Sequence, residues 1–391
     1  MSGERVRRLR HSAAVAAPAE AVYALLADAV RRPLYSPGVL HVERMDADGG
    51  RERLRVWEQA GGRVDCSLWA RVAHPGERRI EFWRLRGEAP IASMAGQWTV
   101  SEAASGHGCV VSVVHEFTVT GGAHGAEVDR AALAVEDNAR SALWSVRRIA
   151  ERESSAGPLQ RVLTFRESLR VEGPGEVVYD FLYRAADWAG RVPQVRHVEV
   201  SEVSPGIQAV GYRVRLPDGT VRATSSLRLC FPHAGRIVYK QTTPWAPVAA
   251  HTGEWSVLPD EHGVRVIAEH TVLLDEHVLP GGAYAVPGQE SAKPSGKDTG
   301  PPEGSAGRSE ERAACVLPGA REVSERQGPG RESGRGQGRS AHRPAGDGHG
   351  PVPVGDGVRG RVREAIGQAS RTILEQAARH AESAVQALPR R

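Results

Sequence analysis

The chain has 391 residues, of which 40% are hydrophobic and 25% are charged. This balance is ordinary for a globular protein and excludes a chain that is disordered throughout. The length exceeds what one ordinary hydrophobic core accommodates, so two domains are expected. The formal net charge of +4 fits an acidic partner without requiring nucleic acid. No apolar stretch is long enough to predict a transmembrane helix, so no membrane partner is expected.

Cysteine usage points to a reducing compartment. Neither close pairing nor CxxC spacing is present among Cys66, Cys109, Cys230 and Cys315. This pattern disfavours both a disulfide framework and a zinc site. We therefore expect a cytoplasmic protein without a bound metal.

An internal repeat is the strongest pattern in the chain. Residues 15–23 recur as residues 171–179, an offset of 156 residues. The offset stays within one residue of that value in three further pairs, which are Arg71 with Arg228, Trp98 with Trp255, and His115 with His270. Chance does not keep such a register, so the chain is predicted to contain two copies of one domain, at residues 1–155 and 156–391.

The elements of each copy follow from local patterns. A first strand precedes a helix that begins at Pro18 or Pro174, because the first helical turn tolerates the missing amide. Alternating residues between Gly, Pro and Asp turns predict antiparallel strands in the first copy at 51–58, 63–73, 79–86, 97–102 and 109–120. Helical spacing of apolar residues predicts a long closing helix at 128–152, with a counterpart at 358–388. The predicted fold class is α+β.

The second copy carries an additional segment before its closing helix. The offset grows to 231 residues, from Arg140 to Arg371, which assigns the extra residues to about 281–357. This segment is dense in Gly, Pro, Ser, Arg and Glu and poor in core-forming residues, which predicts disorder. A pair of compensating frameshifts in a GC-rich gene would give the same composition, so both interpretations stay open.

Several segments carry a resemblance to a known family. They are residues 17–23, 41–43, 180–188, 230–232, 235–242 and 250–255. They resemble the didomain aromatase/cyclases of bacterial aromatic (type II) polyketide synthesis, more specifically in the second copy than in the first. The resemblance implies two tandem helix-grip (START-like, SRPBCC) domains, each a curved antiparallel sheet wrapped around a long C-terminal helix and enclosing a pocket.

The resemblance also implies site residues. In single-domain relatives, a mid-sheet arginine points into the pocket and is treated as the main catalytic residue, and the register carries it over to Arg71 and Arg228. His251 is the third catalytic candidate, as a proton shuttle, although an ordinary core histidine is an open alternative. Strand alternation and one loop position add substrate-binding candidates, namely Ser67, Trp69, Arg84, Trp98, Trp188, Arg222, Thr224, Ser226, Tyr239, Gln241 and Trp255. His115 and His270 are expected to be structural.

The implied activity is the closure and dehydration of the first ring of a carrier-bound, ketoreduced poly-β-ketone, without a cofactor. An arginine suits this chemistry because a guanidinium stays protonated and stabilises an oxyanion in a poorly solvated cavity. The second copy, with its richer set of inward polar residues, is expected to carry more of the chemistry. An acyl carrier protein and other polyketide synthase components are the expected partners.

Two alternatives from other classes stay open. Many helix-grip proteins bind and release a lipid or polyketide without chemistry, so the chain is also compatible with a carrier. An inactive product of a frameshifted gene is the second alternative, because the extra segment interrupts the second copy.

Overall fold

The computed structural model describes most of the chain. The described residues are 6–60, 63–87, 90–119, 125–151, 161–215, 219–275 and 356–386. The predicted insertion at 281–357 lies outside them, apart from its last two residues, which begin a helix.

The first repeat is a seven-stranded antiparallel sheet packed against a long helix. Its elements are β1 (Arg7–Val15), α1 (Ala19–Ala27), α2 (Arg32–Tyr35), β2 (Val39–Asp48), β3 (Arg51–Ala60), β4 (Arg63–His74), β5 (Arg79–Arg84), β6 (Ile91–Glu102), β7 (Cys109–Val119) and α3 (Gly125–Glu151). The strand order is β1-β7-β6-β5-β4-β3-β2. Strand β6 begins earlier than the predicted 97–102, because the small residues Ala92, Ser93, Ala95 and Gly96 hide the alternation.

The second repeat has the same order of elements. They are β8 (Val162–Val171), α4 (Gly175–Tyr183), α5 (Trp188–Arg191), β9 (Val195–Ser204), β10 (Ile207–Arg215), β11 (Val221–Phe231), β12 (Arg236–Gln241), β13 (Val248–Asp260), β14 (Gly263–Leu274) and α6 (Asp356–Gln386). The strand order β8-β14-β13-β12-β11-β10-β9 matches that of the first sheet. The α+β fold of two tandem helix-grip domains is therefore confirmed.

Each closing helix buries one apolar stripe against its sheet. In α3 the buried positions follow helical spacing and are Ala131, Val135, Ala139, Leu143, Val146, Ile149 and Ala150. In α6 the corresponding stripe includes Val362, Ile366, Leu374, Ala377 and Ala381. Within the described part of the chain, none of the helices is sufficiently long and apolar to cross a membrane.

A glycine in each sheet admits an aromatic ring to the interior. Gly96 lies opposite His115 in the first sheet, and Gly253 lies opposite His270 in the second. A Cβ atom on Gly253 would lie 2.4 Å from the hydroxyl of Tyr239, and one on Gly96 would lie 2.6 Å from the ring of Phe82. Only glycine leaves room for these rings, so the repeat keeps it in both copies.

The two repeats contact each other through an apolar cluster and an ion pair. Buried residues of both repeats form the cluster, namely Leu40, Trp57, Leu227, Leu229 and Val238. Beside them, Arg236 of β12 donates to Glu43 of β2 at 2.9 Å and to Glu254 of β13 at 2.7 Å. The ring of His41, 3.4 Å away, and the guanidinium of Arg236 lower the pKa of Glu43 to about 2.

We predict that Glu43→Gln destabilises the protein at neutral pH by about 1–2 kcal/mol, because a charge-assisted hydrogen bond is lost. A carboxylate whose folded pKa is depressed stabilises the fold above its ordinary pKa of 4.5 and loses this contribution as the pH falls through about 2. Urea unfolding of both proteins between pH 7 and pH 3 should therefore show the difference shrinking as the pH falls.

Glu199→Gln is the matched control, since Glu199 occupies the same position in the second repeat with its side chain 82% exposed. It should change stability little at any pH. A difference for Glu43→Gln that stays constant down to pH 3 would contradict this account of the ion pair.

Candidate active site

A cavity of about 530 Å³ lies between the sheet and α3 of the first repeat. Its volume is within the range of small-molecule sites. Five of the predicted site residues line it, namely Ser67, Trp69, Arg71, Arg84 and Trp98. Further lining residues are Arg32, residues 36–39, Met94, His115, Asn138, Ser141 and Ser145. Aromatic and polar side chains from strands β4 to β7 and from helices α2 and α3 thus face a common space.

The side chains of β4 reach the cavity because alternate residues of a strand share one face. The indole N–H of Trp69 donates to Ser67 Oγ at 2.8 Å. The ring of Trp69 meets Phe82 edge to face at 5.9 Å, and the guanidinium of Arg84 lies 5.9 Å from the ring centroid of Trp69. These contacts fix the aromatic wall beside the polar groups.

Arg71 is held rigidly at the inner end of this wall. Its Nε donates to Glu52, its cross-strand partner, at 2.5 Å. Its two terminal nitrogens donate to the main-chain carbonyls of Leu26, at 3.1 Å, and Ala27. A guanidinium has five N–H donors, so two remain for a ligand. The carboxylate of Glu52 makes the burial of this charge tolerable.

Arg228, the equivalent residue in the second repeat, has different neighbours. Its cross-strand partner is Gln208, so an uncharged amide stands where the first repeat has a carboxylate. Arg228 donates to the carbonyl of Leu182, whereas its Nε and Nη1 find no partner among the described residues. The rings of Trp188 and Trp255 lie 5.6 and 5.4 Å from the guanidinium carbon. The side chain is fully buried between the two indoles.

Trp188 accounts for part of this difference between the repeats. It occupies the position of Arg32 in the first repeat, and its buried indole donates to the carbonyl of Phe181 at 2.9 Å. In the first repeat, Arg32 instead pairs with Glu58 at 2.9 Å and leaves its side chain at the edge of the cavity. A ring therefore packs against the arginine of the second repeat where the first repeat keeps open space.

A buried chain of hydrogen bonds lies beside Arg228. The hydroxyl of Tyr239 is hydrogen-bonded to His270 Nδ1 at 2.9 Å, and His270 Nε2 is hydrogen-bonded to the hydroxyl of Ser370 of α6 at 2.9 Å. Burial lowers the pKa of His270 to about 4, so this ring is neutral at pH 7. His251 Nε2 lies 3.2 Å from His270 Nδ1, and its own Nδ1 has no partner in the described structure. Burial and the neighbouring His270 lower the pKa of His251 as well.

The other predicted residues of the second repeat lie along β11 and β12. Thr224 Oγ1 donates to the carbonyl of Thr243 at 3.0 Å, and Ser226 is buried opposite Gln241. Arg222 is half-buried near the start of β11. The predicted residues thus form two groups, one around each arginine, and the catalytic role of Arg228 and His251 stays a prediction.

His115, which the sequence predicts to be structural, lines the cavity. Phe82 occupies the position that Tyr239 has in the second repeat. The ring centroids of His115 and Phe82 are 5.4 Å apart, and Phe82 has no hydroxyl group to bond to the imidazole. Its Nδ1 has no hydrogen-bond partner within the described residues. Burial, with smaller contributions from His11 and Arg32, lowers its pKa to about 4. The available signal was the histidine at the same register position in both copies.

The two arginine environments predict opposite effects of exchanging their partners. Gln208→Glu should stabilise the protein by about 1–3 kcal/mol, because the buried charge of Arg228 gains a carboxylate. Glu52→Gln should destabilise it by a similar amount, because Arg71 loses one. Urea unfolding at pH 7 measures both. A Gln208→Glu variant that is less stable than the parent protein would show that Arg228 is already compensated.

The comparisons with known proteins agree with this architecture. The family described as polyketide cyclase/dehydrase and lipid transport matches residues 7–151. The actinorhodin polyketide synthase bifunctional cyclase/dehydratase of Streptomyces coelicolor is 33% identical over 302 residues, which cover 72% of this chain and 90% of that protein. The granaticin polyketide synthase bifunctional cyclase/dehydratase of Streptomyces violaceoruber is 31% identical over 271 residues, or 69% of this chain and 82% of the relative.

Two solved structures match over nearly the whole chain. The crystal structure of the di-domain ARO/CYC BexL from the BE-7585A biosynthetic pathway has a TM-score of 0.65 at 28% identity and covers 96% of this chain and 99% of that one. The crystal structure of the di-domain ARO/CYC StfQ from the steffimycin biosynthetic pathway has a TM-score of 0.63 at 23% identity and covers 97% of this chain and 99% of that one. At this identity the match supports the fold alone. The chain therefore belongs to the polyketide cyclase/dehydrase family.

Proposed function

We propose that the protein is an aromatase/cyclase that folds a carrier-bound poly-β-ketone in the cavity of the first repeat and closes and dehydrates its first ring. The cyclase/dehydratase relatives support the reaction class. The observation that carries the proposal is the cavity of about 530 Å³, in which a fixed guanidinium and a neutral histidine face aromatic walls. A shaped cavity of this kind selects one folding of a flexible chain.

Arg71 is the proposed oxyanion-stabilising residue. A methylene between two carbonyls loses a proton to give an enolate, and the enolate carbon attacks a ketone carbon further along the chain. Negative charge then develops on the oxygen of the attacked ketone. The two unused N–H groups of Arg71 would donate to that oxygen, and their positions are fixed in advance by Glu52 and two main-chain carbonyls.

His115 is the proposed proton acceptor. A pKa of about 4 keeps the ring neutral at physiological pH, so a nitrogen lone pair is available to take the methylene proton. The Nδ1 atom without a partner is the site at which a proton would be held. Returned to the new alkoxide, this proton would complete ring closure and leave the ring of His115 neutral again. For the loss of water, His115 would take the second proton of the same methylene carbon and pass it to the departing hydroxide, so the enzyme is regenerated unchanged.

Polar groups of α3 support a ketoreduced substrate. A reduced carbon carries a hydroxyl group in place of a carbonyl, and Asn138, Ser141 and Ser145 line the cavity from the helix side. The hydroxyl of Ser145 is buried and has no partner among the described residues. We propose that these side chains bind the reduced position and so set the register of the folded chain.

An acyl carrier protein is the proposed partner that delivers the chain. Carrier proteins of this type are acidic, and Arg63, which is exposed, lies at the edge of the cavity together with the half-exposed Arg32. Basic residues at a cavity entrance attract an acidic partner and its phosphate-linked arm. Other components of the synthase would supply the reduced chain and take the cyclised product.

The first test of this proposal is product analysis of a minimal polyketide synthase with a ketoreductase, with and without the protein. Addition of the protein should shift products from unaromatised compounds to a dehydrated first ring. The double variant Arg71→Met with Glu52→Gln, which leaves no unpaired carboxylate, should lower the rate about 100-fold or more, as expected for the loss of an oxyanion donor.

The controls for this test are Glu52→Gln alone and Arg228→Met. Glu52→Gln should keep most of the activity, since it retains the guanidinium. Loss of activity in Arg228→Met with full activity in the double variant would move the chemistry to the second repeat. An unchanged product profile on addition of the parent protein, with recovery of unaltered ligand, would support a carrier instead of an enzyme.

The pKa of His115 predicts the acid limb of the pH profile. A base must be unprotonated, so kcat/KM should be constant above about pH 5 and fall as the pH drops through about 4. His115→Gln should remove this limb and lower the rate about 100-fold. Single-turnover rates between pH 4 and pH 8 measure both effects, and a limb that persists in His115→Gln would assign the base to another group.

A further inference from the structure

Lys240 of the second repeat extends into the first repeat. It lies on β12 next to Tyr239, whose ring points to the opposite side of the sheet. Its Nζ donates to the main-chain carbonyls of Ser36 at 2.8 Å, Pro37 at 2.9 Å and Val39 at 2.8 Å. An ammonium group has three N–H donors, so every donor has an acceptor. The residue is only 7% exposed.

The acceptors of Lys240 belong to a loop that forms the cavity of the first repeat. Loop 36–39 consists of residues 36–38, which connect α2 to β2, and Val39, the first residue of β2; all four line the cavity. The loop closes on itself through a bond from Val39 N to the carbonyl of Ser36 at 3.1 Å, and Gln59 N donates to the carbonyl of Gly38 at 2.7 Å. One side of the loop therefore contacts Lys240 while the other faces the cavity.

The first repeat has no lysine at the position that corresponds to Lys240. The equivalent loop of the second repeat, residues 192–195, makes the same bonds, from Val195 N to the carbonyl of Val192 at 2.9 Å and from Arg215 N to that of Gln194 at 2.7 Å. The residue of the first repeat that corresponds to Lys240 is Trp83, which has no ammonium to offer. The second repeat thus supports the loop of the first with a lysine that the first repeat lacks at the equivalent position.

Burial of a lysine at a contact between repeats is costly. Removal of its charge from water disfavours the ammonium form and lowers its pKa to about 7. Such a group is retained when its hydrogen bonds are satisfied, as they are here by three carbonyl oxygens. An apolar residue would suffice for packing alone, so the lysine points to a role in fixing the positions of these carbonyls.

We propose that Lys240 is a positioning residue for the cavity of the first repeat, through which the second repeat holds loop 36–39 in the shape that binds the substrate. This inference rests on the proposed function in one respect, namely that the substrate occupies this cavity. It assigns the second repeat a part in building the site of the first, in addition to any chemistry of its own.

The first experiment measures the loop directly in the full-length protein. In Lys240→Met, which keeps the length of the side chain without its donors, amide hydrogen exchange should become at least about ten-fold faster in a peptide covering residues 36–39, since a difference of 1.4 kcal/mol corresponds to that factor. Exchange in a peptide covering residues 192–195 should stay unchanged. Equal exchange of loop 36–39 in both proteins would overturn the proposal.

The second experiment separates the positioning of the loop from the docking of the repeats. Glu43→Gln is the matched control, because it removes the negative charge that Arg236 contacts in the first repeat but leaves loop 36–39 bonded to Lys240. Lys240→Met should raise KM for the carrier-bound substrate at least about five-fold with little change in kcat, whereas Glu43→Gln should leave KM unchanged. An equal rise of KM in both variants would show that docking alone matters.

A binding measurement distinguishes failure of this proposal from failure of the proposed function. Emodin, a hydroxylated anthraquinone, serves as the probe, and its binding to the parent protein and to both variants is followed by calorimetry. Binding to the parent protein that is weakened only in Lys240→Met supports the positioning role. Equal binding to all three proteins overturns it and leaves the proposed function intact, whereas absence of binding to the parent protein counts against the cavity as the site.

A milder variant covers the case in which Lys240→Met does not fold. Lys240→Gln keeps two N–H donors without the charge, and its thermal unfolding establishes whether the fold is intact. In a folded Lys240→Gln protein, loop exchange and KM should lie between those of the parent protein and the values expected for complete loss. Parent-like values of both quantities in Lys240→Gln would overturn the requirement for the ammonium group.

Discussion

A guanidinium placed inside a β-sheet has to be compensated, and the remaining structure of each repeat follows from how this is done. In the first repeat, the carboxylate of Glu52 and two main-chain carbonyls of the α1 region hold Arg71. In the second, Gln208 replaces the carboxylate and two indoles enclose Arg228. Since a buried charge without partners is expensive, the first arrangement leaves room for a cavity, whereas the second packs aromatic rings against the charge.

Duplication has thus given two interiors that share a register but differ in chemistry. The first repeat combines a fixed arginine with a neutral histidine around open space, and the second has a buried chain from Tyr239 through His270 to Ser370. Lys240 joins the two, because it carries a charge of the second repeat to the loop that lines the cavity of the first. The second repeat therefore contributes a structural contact to the site of the first.

The fold could be predicted from the sequence because the repeat register, the prolines at the helix starts and the period of each element all agree. The sequence also predicted which residues share the cavity, since strand alternation places Ser67, Trp69 and Arg71 on one face. The sequence did not predict that the first repeat has a cavity beside its arginine while aromatic rings pack against the arginine of the second. That difference depends on where the ring of Trp188 packs. The roles of His115 and Lys240 depend on contacts with residues distant in the chain, and no local pattern encodes such contacts.

A crystal structure of the full-length protein with emodin bound would show directly which repeat binds an aromatic polyketide. The anthraquinone should lie in the cavity of the first repeat, against Trp69 and Trp98, with a ligand oxygen within hydrogen-bond distance of Arg71. Density for the ligand beside Arg228 instead, with the ring of Trp188 displaced and the first cavity empty, would contradict this prediction and place substrate binding in the second repeat.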